Sequence, residues 1–237
     1  MLKFIGNGSA FNTSRGNTSA YMTMGSELII IDCGEDVFSR LRRIDVLEKA
    51  SRVHVFITHL HSDHVGSLSS LIYYLYYKVY GMDRSRICVY YPDSKIVDFL
   101  NLLGTNENFY THYINKWDEL YIEGKEMLTE YMFYETPHDT NLAASYYITF
   151  DIKKTGSFLY SGDTAQCLVD SDSIQRYDRI YQEVTFNPHV PVHTQYSQLL
   201  ENTRDFTESQ KKKIYLMHLE EEADESRIIA DGFNIAN

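Results

Sequence analysis

The sequence predicts an α/β fold in which two mixed sheets pack face to face with helices on the outside. Three observations lead there. Short β-rich runs cluster in both halves of the chain, and helical patterns fall between and after those clusters. Several runs, such as Leu28-Ile29-Ile30-Ile31 and Val53-His54-Val55-Phe56-Ile57, are continuously apolar or nearly so, the mark of strands buried on both faces.

The elements follow in order. Residues 2–6, 18–24 and 28–33 read as strands, with Gly6, Gly8, Gly16 and Gly25 supplying the turns. Residues 36–43 read as a helix and Val53–Ile57 as the next strand. A helix is expected over Val65–Tyr80, because Leu68, Leu71, Ile72, Leu75 and Val79 recur at spacings of three and four. A strand over 86–91 and a helix over 93–103 come next. Strands at 127–135, 143–150 and 157–161 then run in succession, with a Lys153-Lys154-Thr155-Gly156 turn before the last. A strand over 179–184 enters a loop, a helix covers about 195–206, and a strand over 214–217 with a helix near 222–230 completes the set. The Lys211-Lys212-Lys213 run reads as a solvated helix end.

Bulk composition narrows the function. A length of 237 residues suits one domain spanning 1–237, and the hydrophobic (43%) and charged (23%) fractions are those of a globular protein. A formal charge of −11 opposes extended contact with polyanions. Cys33, Cys88 and Cys167 are scattered and odd in number, which points to buried thiols in a reducing cytoplasm rather than a disulfide frame or a cysteine zinc knuckle. The opening Met1–Gly6 reads as a strand rather than a secretory leader. No apolar run approaches the roughly 18 residues of a membrane span, so a soluble protein without a membrane partner is expected. The 20 tyrosines read mainly as sheet and helix filling.

The chemistry concentrates in Thr58-His59-Leu60-His61-Ser62-Asp63-His64-Val65-Gly66. Four ligand types fall within six residues, directly after a buried strand and before a helix, where a loop can turn side chains toward one point. Imidazole and carboxylate suit zinc. His59 and His61, two apart, can meet one metal, and Asp63 and His64 can turn to a second.

This H-x-H-x-D-H-x-G pattern resembles the signature of the metallo-β-lactamase superfamily, whose fold is an αββα sandwich. The resemblance implies a ligand set that can be sought one residue at a time. His138 stands in Thr136-Pro137-His138-Asp139, Asp163 in Ser161-Gly162-Asp163-Thr164, and His218 ends Tyr215-Leu216-Met217-His218. It implies that His59, His61 and His138 hold one ion, that Asp63, His64 and His218 hold the other, and that Asp163 bridges them. Two Zn2+ ions are implied, with Mn2+ as the alternative. His61 replaces the Glu of the di-iron branch, and Asp163 replaces the Cys of many true β-lactamases, so redox chemistry and antibiotic hydrolysis are disfavoured.

Further stretches resemble the ribonuclease Z and cyclic-nucleotide phosphodiesterase branch. They are Gly6-Asn7-Gly8-Ser9-Ala10-Phe11, Arg15-Gly16-Asn17-Thr18-Ser19, Ile31-Asp32-Cys33-Gly34-Glu35, and Gln182-Glu183-Val184-Thr185-Phe186 followed by Pro188-His189-Val190-Pro191-Val192-His193-Thr194. Only residues 139–162 separate His138 from Asp163, which leaves no room for the basic RNA-gripping arm of ribonuclease Z. The short form and the HVPVHT loop look like the phage anti-Pycsar phosphodiesterases. The resemblance implies a small cyclic-nucleotide substrate, no stable nucleic-acid partner, a homodimer, and a bacterial or phage-infected host cytoplasm. It implies catalytic roles for His193 as general acid, Glu183 as its orienting carboxylate, and Asp63 as a ligand that orients the nucleophile. His189 is a weaker candidate for phosphate contact, and Ser161 and Thr164 read as supports for Asp163. The polar and aromatic stretch 104–113 reads as a lid or as a loop reaching a partner's site. The alternatives are a ribonuclease Z without its arm, a glyoxalase II-type thioesterase (for which residues 219–237 leave no glutathione-binding domain), and a catalytically dead binding module.

Overall fold

The computed structural model describes residues 2–122, 128–138, 143–153 and 155–237. Residue 127 of the predicted strand, Asp139 and Lys154 lie outside these. The first half of the chain carries β1 (Lys3–Gly6), β2 (Ser19–Met24), β3 (Glu27–Ile31), α1 (Val37–Leu41), β4 (Arg52–Phe56), α2 (Ser62–Val65), α3 (Leu68–Tyr74), β5 (Ile87–Tyr90), α4 (Lys95–Leu102) and β6 (Thr111–Tyr113). The second carries β7 (Trp117–Tyr121), β8 (Leu128–Thr136), β9 (Ser145–Ile152), β10 (Gly156–Tyr160), α5 (Ser173–Arg176), β11 (Arg179–Glu183), α6 (Tyr196–Asn202), α7 (Glu208–Lys211), β12 (Ile214–Met217), α8 (Glu225–Ala230) and β13 (Asn234–Ile235).

Among the described residues these strands build two mixed sheets, in the orders β1-β2-β3-β4-β5-β6 and β13-β12-β11-β10-β9-β8-β7. In each, an antiparallel portion passes into parallel pairs: β3–β4–β5–β6 in one and β10–β11–β12–β13 in the other. All five residues of β3 are buried, as its unbroken apolar run requires. The inner faces meet through rings. Phe56 of β4 lies 5.0 Å from Tyr131 of β8 and 5.0 Å from Phe150 of β9, and Phe4 lies 5.4 Å from Tyr181. Such edge-on and tilted pairs are the favoured aromatic arrangements. The expected metallo-β-lactamase sandwich is present.

The long helix expected over Val65–Tyr80 is broken. The His64 carbonyl accepts from Cys33 N–H (2.7 Å) and Ser67 N–H donates to the Cys33 carbonyl (3.0 Å), so bonds a continuous helix would use go to the loop after β3. The apolar face resumes in α3 and closes in a π-helical turn over Leu75–Val79, where Tyr80 N–H reaches the Leu75 carbonyl at 2.8 Å. Residues 111–113 of the expected 104–113 loop form the edge strand β6, and Phe109 packs 5.1 Å from Tyr73 and 5.0 Å from Tyr76. Lys213 is not a simple solvated charge. Its ammonium donates to the carbonyls of Ile174 (3.0 Å) and Tyr177 (3.2 Å) at the end of α5, where a cation complements unpaired carbonyls. Among the described residues no helix is long and apolar enough to cross a membrane.

Candidate metal centre

Parallel strands gather their C-terminal ends at one edge of the sandwich, the place where α/β sheets present ligands. Asp32 follows β3, Thr58 and His59 follow β4, Asp163 follows β10, Glu183 ends β11 and His218 follows β12, while His138 follows β8. Two close approaches build this edge. A Cβ on Gly34 would fall 1.9 Å from the Asp63 carbonyl oxygen, so the loop after β3 can lie against the motif only with glycine there. Gly162 has φ +56 and touches Thr58, which brings the Ser161-Gly162-Asp163 turn of one sheet onto the motif of the other. Asp32 (φ 63) and His218 (φ 58) hold left-handed conformations although neither is glycine, the kind of strain that gathers at functional sites.

Three groups of side chains converge among the described residues; Glu183, His193 and His218 form one, beside two that share Asp163. Of those two, His59, His61, His138 and Asp163 form one, and Asp63, His64, Asp163 and His218 form the other, with all ligand atoms of a group within 4.8 Å of each other. In the first, His59 Nε2 lies 2.9 Å from His61 Nδ1, which lies 3.2 Å from His138 Nε2. In the second, the Nε2 atoms of His64 and His218 each stand 3.3 Å from Asp63 Oδ2. Asp163 Oδ2 is 3.3 Å from His218 Nε2, and its Oδ1 is 3.3 Å from His64 Nε2. Those last two atoms, Asp163 Oδ1 and His64 Nε2, are buried and have no hydrogen-bond partner. Orphaned buried polar atoms are costly, and a cation between them would satisfy both. The donor set of imidazoles and carboxylates without thiolate fits a divalent metal.

The charges respond to this crowding. Burial, and then the nearby His64, hold His59 well below its ordinary pKa. Burial would also lower His64, but Asp163, Asp63 and Asp32 outweigh it and hold that imidazole well above its usual value. Burial would raise Asp63 and Asp163, yet neighbouring histidines keep both carboxyls low.

Outer partners fix the ring orientations. Asp32 Oδ2 lies 2.9 Å from His64 Nδ1, and the same carboxylate accepts from Thr58 N–H at 2.8 Å. The Val192 carbonyl holds His138 Nδ1 at 2.9 Å. Such partners set which ring nitrogen faces a metal. Asp32 received no role from the sequence pattern; its signal was a carboxylate at the end of the most apolar run of the chain.

Beside the cluster, His193 Nδ1 stands 3.1 Å from both oxygens of Glu183 and 3.8 Å from Asp163 Oδ2. Glu183 is fully buried and also accepts the backbone N–H groups of Thr164 (2.8 Å) and Thr194 (3.2 Å), which pins it. Burial lowers the His193 pKa, but the charge of Glu183 and its hydrogen bond outweigh burial and raise it to about 9. Ser161 and Thr164, expected as supports for Asp163, bond to Glu183 instead: Ser161 Oγ accepts from Glu183 N–H at 2.9 Å, and Thr164 N–H donates to the Glu183 carboxylate. His189 is exposed on the loop surface. A cavity of about 750 Å3 opens beside His193 and His218.

A family model described as Anti-Pycsar protein Apyc1 matches residues 1–235. The chain belongs to this family. It is similar to the Anti-Pycsar protein Apyc1 of Bacillus phage vB_BsuM-Goe3, 25% identical over an alignment covering 94% of this chain and 90% of that protein. A shorter similarity, 41% identical over 73 residues, covers 30% of this chain and 23% of a ribonuclease Z of Parabacteroides distasonis. Among solved structures, the metallo-β-lactamase fold protein YhfI of Bacillus subtilis matches with a TM-score of 0.73 and 19% identity, covering 100% of this chain and 95% of that one, a likeness of fold. Family membership, fold and the two ligand clusters make this Apyc1-family chain a metal-dependent hydrolase.

Proposed function

We propose that the chain is a phosphodiesterase that opens 3′,5′-cyclic nucleoside monophosphates to 5′-monophosphates and so removes a cyclic-nucleotide signal in the cytoplasm of an infected cell. Its site residues would be His59, His61 and His138 for one Zn2+, Asp63, His64 and His218 for the other, and Asp163 between them, with Mn2+ as the alternative metal. When bound, the ions supply Lewis acidity and a nucleophile from water at neutral pH. The observation that carries the reading is His193. Its Nδ1 faces the Glu183 carboxylate, which leaves Nε2–H free to donate. A ring alkoxide is a poor leaving group, so protonation of the departing 3′ oxygen by a charged imidazole is the help the reaction needs. As the P–O3′ bond breaks, the Nε2 proton passes to O3′ and His193 is left neutral. Glu183 positions the ring and keeps it charged. Asp63, reaching His64 and His218, orients the attacking face.

The family match and the cavity beside His193 support a small substrate, and the homodimer and the single domain over 1–237 belong to the same reading. The test is incubation with the four 3′,5′-cyclic nucleotides and, in parallel, precursor transfer RNA. We expect 5′-monophosphates identified by chromatography. A 3′-monophosphate product overturns the leaving-group assignment, and cleavage of the RNA alone moves the function to a ribonuclease Z-like endonuclease. Light scattering at micromolar concentration tests the dimer, and a monomer refutes it.

A further inference from the structure

The cavity that contains His193 and His218 is also lined by three successive carboxylates, Glu220, Glu221 and Glu222, and among the described residues no lysine or arginine lines it. That is an unusual wall for a site meant to take a phosphate. Glu220 is committed to the fold: it accepts from the Thr185 hydroxyl and from Phe186 N–H at 3.2 Å. Glu221 and Glu222 are exposed, and no hydrogen bond or ion pair engages either among the described residues. The remaining lining includes apolar surface from Phe186, Val190 and Phe11, which is 89% exposed.

A phosphodiester with one charge can place that charge at the histidine and aspartate clusters and lay its uncharged remainder against Phe11 and Val190. A substrate with a further phosphate brings a second anion into a cavity whose charged wall is made of Glu220, Glu221 and Glu222. Nucleic-acid strands carry a phosphate at every residue. Uncompensated like charges at a partly solvated rim weaken association by roughly 3-fold each, and salt reduces the effect. We infer that this cavity is a charge filter: it accepts substrates with a single phosphate, and Glu221 and Glu222 are the residues that turn away a second one. The inference rests on the phosphodiesterase reading of the same site and adds what sets its substrate class.

The test uses a matched pair of competitors that differ by one phosphate. Thymidine 5′-monophosphate and thymidine 3′,5′-bisphosphate are measured as inhibitors of bis-p-nitrophenyl phosphate hydrolysis by the metal-loaded protein and by its Glu221→Gln/Glu222→Gln double variant. Thermal melting confirms that the variant is folded. The expected result is that the ratio of inhibition constants, bisphosphate over monophosphate, falls about 10-fold in the variant. Raising salt from about 0.05 to 0.5 M should lower the ratio in the parent protein and leave it nearly flat in the variant. An unchanged ratio overturns the filter, and so does failure of both nucleotides to compete. Absence of any hydrolysis by the parent protein instead withdraws the phosphodiesterase reading, and the filter with it.

Discussion

Replacing Glu183 by glutamine keeps the shape of the side chain and removes its charge, which isolates the electrostatic role of the residue. In the folded protein Glu183 raises the His193 pKa from 6.5 to about 9 against the opposing effect of burial. The acid form of a raised group is fully present below its ordinary pKa and is lost as pH rises through the folded value. At pH 7.5 a group with pKa near 9 is about 97% protonated, whereas one at about 6.5 is only about 9% protonated. In the variant burial and His64 still lower the group and Asp163 still raises it, so the ordinary imidazole value serves as the reference for its protonation. If His193 is the acid, Glu183→Gln therefore costs roughly 10-fold in kcat/KM at pH 7.5 and close to nothing near pH 5.5, provided the metals remain bound. Cations in the two clusters pull the parent's alkaline limb downward, so about 9 is its upper bound. The assay is the pH profile of kcat/KM for a cyclic nucleotide from pH 5 to 10, with metal content measured on the same samples. An alkaline limb that stays in place in the variant would refute the argument, since it would belong to some other group.

Three further outcomes are expected. His61→Ala and Asp163→Ala should each remove activity, with elemental analysis showing fewer than two metals per chain; full metal content in an inactive Asp163→Ala protein would count against the bridging role. Asp32→Asn should weaken metal affinity by roughly 10- to 100-fold through loss of the His64 orientation, read by competition with a chelator, and an unchanged affinity would mean that the 2.9 Å contact does not fix the ring. Cys33, Cys88 and Cys167 are buried, with burial pushing their thiols up to about 12, 11 and 11, so the native protein should react with a thiol reagent only on unfolding; rapid labelling of the folded protein would contradict that packing.

The sequence was most informative where one signal sufficed. Six-residue crowding of His59, His61, Asp63 and His64 required no tertiary knowledge, and β3 declared itself by four apolar residues in a row. What stayed hidden depended on partners distant in the chain. The break after Val65 arises from hydrogen bonds to Cys33, which no local periodicity encodes. The strand β6 is three half-buried residues long, and β7, at the sheet edge, exposes Trp117 and Tyr121; short edge strands lack the apolar run that marks buried ones. Asp32 could be seen but not assigned, because its partner His64 is identified only when β3 and β4 lie side by side. The carboxylates at 220–222 meet His193 only through the cavity that both line, a proximity that no local pattern encodes.

The ligand clusters also have a bearing on how the chain is assembled. His59, His61, Asp63 and His64 come from one sheet, while His138, Asp163 and His218 come from the other. Each of the two groups draws on both halves, so tight metal binding at either would require that the two sheets have docked. A metal held by residues of both sheets would then work as a clasp across the seam between halves built from separate stretches of sequence. Binding that is available only to the docked state adds its free energy to that state. A nascent chain that has emerged only as far as β6 can present the four-residue motif without committing to a metal, and the moment of loading marks the moment the sandwich closes.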